Sequence, residues 1–143
     1  MAIWISDPMD FARERWARSL IGHLGIEAVE AGEDHLKARM AVDERTRTPA
    51  GVLHGGASVA LAETVATWAA SCCVDPVSHE CVGLEVNANH LRAVADGSVY
   101  ATARPIHLGE TTQVWEVQVV SDREVLVCVS RVTLAVREVP HWH

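Results

Sequence analysis

The sequence predicts an α+β fold in which a curved antiparallel sheet wraps around one long central helix. The chain has 143 residues, the size of one ordinary domain with one good core. Its middle is a proline-free, alanine-rich run from Gly55 to Cys73, which favours a helix, and four strand-like runs follow it. A helix that is apolar on nearly every side must be buried on nearly every side, and in so small a chain only strands are left to cover it.

Composition limits the classes of function. Hydrophobic residues make up 49% and charged residues 22% of the chain, as in ordinary globular proteins. The net charge of −7, with scattered basic residues, argues against nucleic acid as a partner because its field repels a polyanion. We expect no membrane partner and a cytoplasmic location, since charged side chains precede any apolar run of signal-peptide length. The four cysteines lie in apolar segments without metal-site spacing, so we expect reduced core thiols.

The chain carries no repeats and no linker-like tracts, so residues 1–143 are predicted to form a single domain. Apolar residues at roughly helical spacing from Met9 to Leu20 predict a short amphipathic helix over about residues 9–21. Ile26–Ala31 and His35–Val42 alternate like strands around a turn-forming segment. They predict a hairpin.

The polar segment Asp43–Val52 predicts an ordered loop that leads into the central helix. Four runs of extended character follow that helix: Glu80–Leu91, Ser98–His107, Thr111–Ser121 and Glu124–Arg137. The short turn-forming connections between these runs suit hairpins, so the sheet is predicted to be mainly antiparallel. One curved antiparallel sheet around one buried helix is the hotdog architecture.

Three of the few polar residues in the central helix fall on one stripe. Glu63, Thr67 and Ser71 are spaced i, i+4 and i+8. Glu63 is the only ionisable group there, and a buried carboxylate is costly unless it is paired, hydrogen-bonded or protonated. One interpretation makes Glu63 a general base or nucleophile, with Thr67 orienting it or a water. The other makes Glu63 a structural partner of Arg92 or Arg104.

The tripeptide His54-Gly55-Gly56 opens the helix. Unpaired backbone amides at a helix start, with the positive end of the helix dipole, favour a developing oxyanion. Glycine also lets a substrate approach the backbone closely. The combination of this helix start with Glu63 favours the catalytic interpretation of the glutamate.

The spacing of these two features predicts a homodimer. Gly55 and Glu63 are eight residues apart, which is roughly 12 Å along a helix. An oxyanion donor and an attacking group must both lie within about 3.5 Å of one carbonyl group. If two copies pack with antiparallel helices, Glu63 of one copy can approach Gly55 of the other. The minimum active unit is therefore predicted to be a dimer with two equivalent sites.

The segments TPAGVLHGGASVALAETVAT, VGLEVNANHLR and PIHLGETTQVWEV resemble the bacterial hotdog acyl-CoA thioesterases. The similarity is to the PaaI-like branch that includes the dihydroxynaphthoyl-CoA and the enterobactin proofreading thioesterases, and it runs from Leu24 to Val136. It implies that Glu63 acts as general base or nucleophile and that the Gly55 amide polarises the thioester carbonyl. It also implies that His54 assists at the thioester and that family members are usually tetramers.

The chain departs from the family pattern beside the proline of the loop. Close relatives carry a glutamine where this chain has Thr48, and that glutamine helps to polarise the thioester carbonyl. Three roles stay open for Thr48: its hydroxyl replaces the donor, it acts through water, or it contributes nothing. A missing donor costs up to about 10² to 10³ in rate if nothing replaces it. The resemblance assigns Ala50 and Trp68 to an acyl pocket whose shape differs from that of the relatives. We also predict that Gly56 and Val82 contact the substrate.

The resemblance also assigns residues to the groove for the CoA nucleotide and pantetheine. They are Asn89, His90, Arg92, His107 and Gly109. The alternative for Arg92 is an exposed surface charge without a ligand. The alternative for His90 and His107 is an ordinary surface or interface histidine. The histidine spacing does not form a metal site.

We predict a thioesterase that hydrolyses acyl-CoA or aroyl-CoA to the free acid and CoA. No metal or redox cofactor is expected, because thiolate is a good leaving group and CoA is part of the substrate. Three alternatives stay open: a proofreading thioesterase that acts on mis-acylated carrier proteins, a non-catalytic acyl-CoA-binding protein, and a hotdog enoyl-CoA hydratase. The hydratase would require an Asp and His pair in a hydratase-type motif, which the sequence lacks.

Overall fold

The computed structural model describes residues 1–141, so residues 142 and 143 of the predicted domain lie outside the described residues. Helices and strands follow one another in an order close to the predicted one. They are α1 (Pro8–Arg15), α2 (Leu20–His23), β1 (Glu27–Ala31), β2 (Leu36–Ala41), α3 (Gly55–Cys72), β3 (His79–His90), β4 (Ser98–Leu108), β5 (Thr112–Ser121) and β6 (Leu126–Glu138). The predicted central helix and its following strands are confirmed to within a few residues.

All described strands belong to one six-stranded antiparallel sheet in the order β1-β2-β4-β5-β6-β3. The connection Ala95–Gly97 therefore closes no hairpin between β3 and β4, contrary to the sequence prediction. Instead β4 pairs with β2, and β3 crosses to the far edge, where it pairs only with β6. This placement leaves β3 as a long edge strand, whose outer backbone groups are free to pair with another chain.

The core lies between α3 and one face of the sheet. Small residues are buried on both sides: Ala38 on β2, Ala101 on β4, and Ala62 and Ala66 on α3 are each fully inaccessible to solvent. Alanine lets helix and sheet backbones approach closely, while Trp68 and Trp115 fill the wider gaps. The alanine content of the central helix is thus explained by packing as well as by helix propensity.

The N-terminal helix predicted over residues 9–21 is wrong in its extent, because the chain forms two short helices instead. Asp7 caps α1 by accepting hydrogen bonds from the Met9 and Asp10 amides. After Arg15 the chain turns, since the Trp16 carbonyl accepts hydrogen bonds from the Ser19 hydroxyl and the Gly22 amide. Apolar spacing alone does not reveal this break.

None of the helices within residues 1–141 combines the length and the apolar character that a membrane crossing requires.

Candidate active site

Helix α3 leaves one face uncovered in the described chain. The sheet and α1 bury most of its residues, but Gly56 and Glu63 are exposed and Ala60, Thr67 and Ser71 are only half-buried. The prediction that α3, and with it Glu63, is buried on every side is therefore wrong for a single chain. A sheet covers only the part of a helix that faces it, so the polar stripe stays open.

Glu63 has no structural ion pair within residues 1–141. The Arg104 Nη1 atom instead lies 3.3 Å from Asp34 Oδ1. The Arg92 side chain is exposed just beyond the C-terminal end of β3. Within one chain, the alternative that Glu63 serves as a structural partner of Arg92 or Arg104 is thus contradicted. Its carboxylate lies against Gly83, where a Cβ added to the glycine would stand 2.5 Å from Glu63 Oε1.

The amides at the start of α3 differ in their hydrogen bonding. The Gly56 N–H donates to His54 Nδ1 at 2.8 Å, and the Ala57 and Ser58 N–H groups donate to the His54 carbonyl. Within residues 1–141 the Gly55 N–H has no acceptor. Of the first amides of α3, the one at Gly55 remains free to bind an external oxygen.

The His54 side chain caps the N-terminus of α3, so its Nδ1 atom is engaged in a hydrogen bond. Because Nδ1 accepts the Gly56 N–H, a neutral His54 ring carries its proton on Nε2. The ring also lies 3.0 Å from the Cβ that any side chain at Gly56 would add. Glycine at this position therefore makes room for the cap.

A cavity of about 420 Å³ opens between α3 and the N-terminal helices and includes Glu63 and Thr67. Its walls are mostly apolar, with hydroxyl groups along the α3 side. The other lining residues are Phe11, Arg15, Trp16, Ser19, Leu20, Ile21, Leu24, Ile26, Ala60, Thr64, Trp68 and Ser71. Trp68 is buried and forms part of the wall, as the acyl-pocket prediction expects.

Gly55 lines a different cavity, of about 290 Å³, together with His90 and Arg92. A Cβ at Gly55 would stand 3.1 Å from His90 Nε2, so the His90 ring lies directly beside the helix start. The cavity at Glu63 does not include Gly55, and this one does not include Glu63. One chain thus presents the two groups in separate places, in line with their eight-residue spacing on one helix.

The loop before α3 places Thr48 but not Ala50 in a protected position. The Thr48 amide donates to the Val52 carbonyl at 2.7 Å, and the Gly51 amide donates to the Thr48 carbonyl at 2.9 Å. The Thr48 hydroxyl is buried and has no partner within the described chain. Ala50 is exposed at the tip of the turn. A buried hydroxyl without a partner is uncommon, so the Thr48 Oγ1 atom, like the buried Ser130 Oγ, is available to a group from outside the described chain.

The remaining predicted substrate residues are spread along two strands. Val82 is half-buried on β3, and Asn89 is exposed near the end of the same strand. At the end of β4, His107 is exposed, and its Nε2 would lie 2.5 Å from a Cβ on Gly109. None of these four lines the cavity that includes Glu63 or the one that includes Gly55. Their assignment to the CoA groove stays a prediction.

Sequence reasoning missed two contributions to the site. Gly83 lies at an irregularity of β3 opposite Leu134, and a glycine inside a strand-like run is the signal for a bulge or a close approach. The second is the wall formed by Trp16, Leu20 and Leu24. The sequence identifies Trp16 and Leu20 only as part of one face of an amphipathic helix and assigns no role to Leu24. No local signal places that face against Glu63.

The four cysteines are free, and desolvation by burial raises the pKa of Cys72 to about 12. Within residues 1–141 no group of three or more His, Cys, Asp and Glu side chains is arranged to hold a metal ion.

Comparison with known proteins identifies the family. Residues 50–128 match the family model described as the thioesterase superfamily. The crystal structure of a mutant thioesterase from Pseudomonas aeruginosa, with a glutamine replaced by alanine, superimposes with a TM-score of 0.94 at 43% identity. That superposition covers 96% of this chain and 100% of the other.

Two curated relatives are similar over most of their length. The 1,4-dihydroxy-2-naphthoyl-CoA hydrolase of Escherichia coli is 42% identical, over 82% of this chain and 86% of the relative. The proofreading thioesterase EntH of Cronobacter turicensis is 44% identical, over 82% of this chain and 85% of the relative. The sheet around α3 and these similarities confirm the hotdog fold and the thioester-hydrolase activity, and the chain belongs to the thioesterase superfamily.

Proposed function

We propose that this thioesterase hydrolyses acyl-CoA or aroyl-CoA thioesters with Glu63 of one copy and the Gly55 amide of a second copy at each site. The observation that carries the proposal is the position of Glu63. It is the only carboxylate of α3, it has no ion-pair partner within the described chain, and together with Thr67 it lines an apolar cavity. The similarity to a CoA thioester hydrolase of Escherichia coli supports the same substrate class.

The reaction follows from these groups. Glu63 takes a proton from water as the water oxygen attacks the thioester carbon, or its own carboxylate attacks and forms an anhydride that water then cleaves. The carbonyl oxygen becomes negative and is stabilised by the Gly55 N–H. In the general-base route the carbon–sulfur bond breaks when the tetrahedral intermediate collapses, and in the anhydride route it breaks as the anhydride forms. In both routes the thiolate of CoA leaves and takes up a proton. The step requires no metal or redox cofactor.

The Nε2–H of His54 is available to donate towards the thioester, because the cap occupies Nδ1. Thr48 replaces the glutamine of the relatives, and its unpartnered hydroxyl is proposed to supply the second donor to the carbonyl. For the CoA portion, we propose that His90 and Arg92 bind phosphate or pantetheine groups, since both line the cavity at Gly55.

A homo-oligomer completes the site. The exposed stripe of α3 and the edge strand β3, with Leu84 62% exposed, offer one continuous surface for a second copy. A two-fold axis there brings Glu63 of each copy towards Gly55 of the other. We propose a dimer as the minimum unit, a tetramer as its assembly and a cytoplasmic location, in keeping with four free cysteines.

The alternative substrate is an acyl group on a carrier protein. It is supported by the 44% identity to a proofreading thioesterase. Both substrates present the same pantetheine thioester to the Gly55 amide, so they differ only in what lies outside the cavity mouth. The chemistry at Glu63 would be identical.

The test is a panel of acyl-CoA and aroyl-CoA thioesters, with the same acyl groups on a carrier protein in parallel. We expect hydrolysis by the wild-type chain and a loss of about 10² to 10⁴ in kcat for Glu63→Gln. The matched control is Glu44→Gln, an exposed carboxylate of the loop, which should stay active. No hydrolysis across the panel, or full activity of Glu63→Gln, would overturn the proposal. A preference for the carrier-bound thioester would select the proofreading alternative.

A further inference from the structure

The chain just before α3 folds into a narrow hairpin over residues 46–54. Its two arms are joined where Arg47 and Leu53 form an antiparallel bridge and where the His54 amide donates to the Thr46 carbonyl at 2.8 Å. The second arm runs directly into the helix. The position of this loop hairpin therefore fixes the start of α3 relative to the first arm.

The linker between β3 and β4, residues 91–97, lies beside the loop hairpin. The Leu53 amide donates to the Val94 carbonyl of the linker at 2.7 Å. Leu53 from the hairpin and Ala93 from the linker both line the cavity that includes Gly55. A change in the separation of hairpin and linker would therefore change the surroundings of the Gly55 amide.

The Arg47 side chain adds a second connection between these segments. Its Nε donates to the Ala95 carbonyl of the linker at 3.2 Å, and its Nη2 donates to the Val42 carbonyl just after β2 at 3.2 Å. The Val42 amide in turn donates to the Gly97 carbonyl at 2.9 Å, so the two acceptor segments are themselves joined. Because the guanidinium holds its donors in a planar fork, one side chain ties the hairpin to both segments. We call this pair of hydrogen bonds the Arg47 clamp.

The contacts of Arg47 are with main-chain carbonyls. Within residues 1–141 its guanidinium forms no ion pair. Arg47 lines neither the cavity that includes Glu63 nor the one that includes Gly55. These observations favour a role in holding the backbone over a contact with substrate.

We infer that Arg47 is a positioning residue for thioester hydrolysis, which holds the hairpin that carries Thr48 and precedes Gly55 against the linker. The inference rests on the proposed function, because that function makes the Gly55 amide the oxyanion donor. Without the clamp the hairpin can shift relative to the linker, and a displacement of about 1 Å can cost up to 10² in rate. The loss should fall on kcat, since Arg47 itself touches no part of the substrate.

The experiment measures kcat and KM for Arg47→Gln and Arg47→Lys with the acyl-CoA that the wild type hydrolyses best. Arg47→Gln removes the fork, and we expect kcat to fall about tenfold while KM changes less than about threefold. Lysine keeps the charge but presents a single donor group that cannot serve both carbonyls, so Arg47→Lys should restore only part of kcat. A raised KM in Arg47→Gln that lysine fully corrects would show that the charge attracts CoA, and the inference would be overturned.

Arg45 of the same loop provides the matched control. Its Nη2 lies 2.7 Å from Asp43 Oδ2, and its Nη1 lies 3.5 Å from the His23 carbonyl, so it contacts no part of the linker. Arg45→Gln removes the same charge and loosens the beginning of the loop. We expect a decrease in Tm similar to that of Arg47→Gln, with kcat within about twofold of wild type. Equal losses of kcat in both variants would attribute the effect to general loosening of the loop and overturn the inference.

Amide hydrogen exchange separates this inference from the proposed function. Arg47→Gln should speed the exchange of the Leu53 and His54 amides without changing the amides in the middle of α3, and Arg45→Gln should leave both amides protected. If the wild type hydrolyses no thioester, the proposed function fails, while faster exchange in Arg47→Gln alone still supports the Arg47 clamp. Unchanged exchange in Arg47→Gln overturns the inference, whatever the activity.

Discussion

The carboxylate of Glu63 lies directly against the backbone of Gly83, across the boundary between α3 and β3. A Cβ on Gly83 would stand 2.5 Å from Glu63 Oε1, closer than real Cβ contacts allow. Gly83 also coincides with an irregularity in the pairing of β3 with β6. The missing side chain gives the carboxylate its place on the uncovered face of α3.

Gly83→Ala should displace the Glu63 carboxylate without unfolding the protein. Only the flexible end of the Glu63 side chain must move, so the free energy of unfolding should change little. A displacement of about 1 Å from reacting groups can cost up to 10² in rate. We expect kcat to fall at least tenfold while the Tm stays nearly constant. In the Glu63→Gln background the same change should have almost no further effect on kcat, and an additive loss would contradict this relationship.

Gly55→Pro should remove the oxyanion donor and keep the helix. Gly55 is the first residue of α3, where proline is well tolerated, and its N–H has no acceptor to lose. The preceding His54 has φ −70° and ψ 131°, which suits a residue before proline. We expect a loss of about 10² to 10³ in kcat at nearly constant Tm. Gly55→Ala is the control, since it adds the same Cβ beside His90 but retains the N–H.

Mixing these inactive variants tests whether the site spans two copies. In a heterodimer of Glu63→Gln and Gly55→Pro chains, a shared site would combine intact Glu63 with intact Gly55 once per dimer. With random pairing, co-expression should restore about a quarter of the wild-type activity. If both groups acted within one chain, every site would carry a defect. The activity of the mixture would then stay at the level of the single variants.

Thr48→Val tests the buried hydroxyl. The Thr48 Oγ1 atom has no partner in the described chain, so its replacement by a methyl group removes no hydrogen bond and should leave Tm unchanged or slightly raised. If the hydroxyl donates to the thioester carbonyl, kcat should fall by up to about 10². Thr48→Gln restores the amide of the relatives and should retain or raise kcat. Equal activity of Thr48→Val and wild type would show that the hydroxyl makes no contribution.

Stability should fall at alkaline pH because of Cys72. Burial raises the pKa of this thiol from 9.0 to about 12, so the folded state holds the proton more tightly than the unfolded state. The contribution is fully present below pH 9 and is lost as the pH rises towards 12. Urea unfolding of wild type and Cys72→Ala across this range should show a shallower decline for the variant. Parallel declines would exclude the thiol as the cause.

The sequence by itself determined the central helix, its single carboxylate, its start at His54 and the strand segments, because helical and alternating patterns are properties of neighbouring residues. The family resemblance added the reaction and the departure at Thr48. The predictions failed where the pairing of strands that are distant in the sequence decides the strand order of the sheet. The sequence does not show that β3 crosses to the far edge, because hairpin connections are the default for short linkers.

Only the tertiary structure decided which polar groups of α3 are left without a partner in the described chain. The sheet covers α3 on one side and leaves Glu63 exposed, so the stripe is read correctly as polar but wrongly as buried. The amide of Gly56 is bound by His54 and that of Gly55 is not, a distinction of hydrogen-bond geometry that two adjacent glycines do not reveal. The contact of Gly83 with Glu63 likewise depends on the register between strand and helix, which is set by packing between residues far apart in the chain.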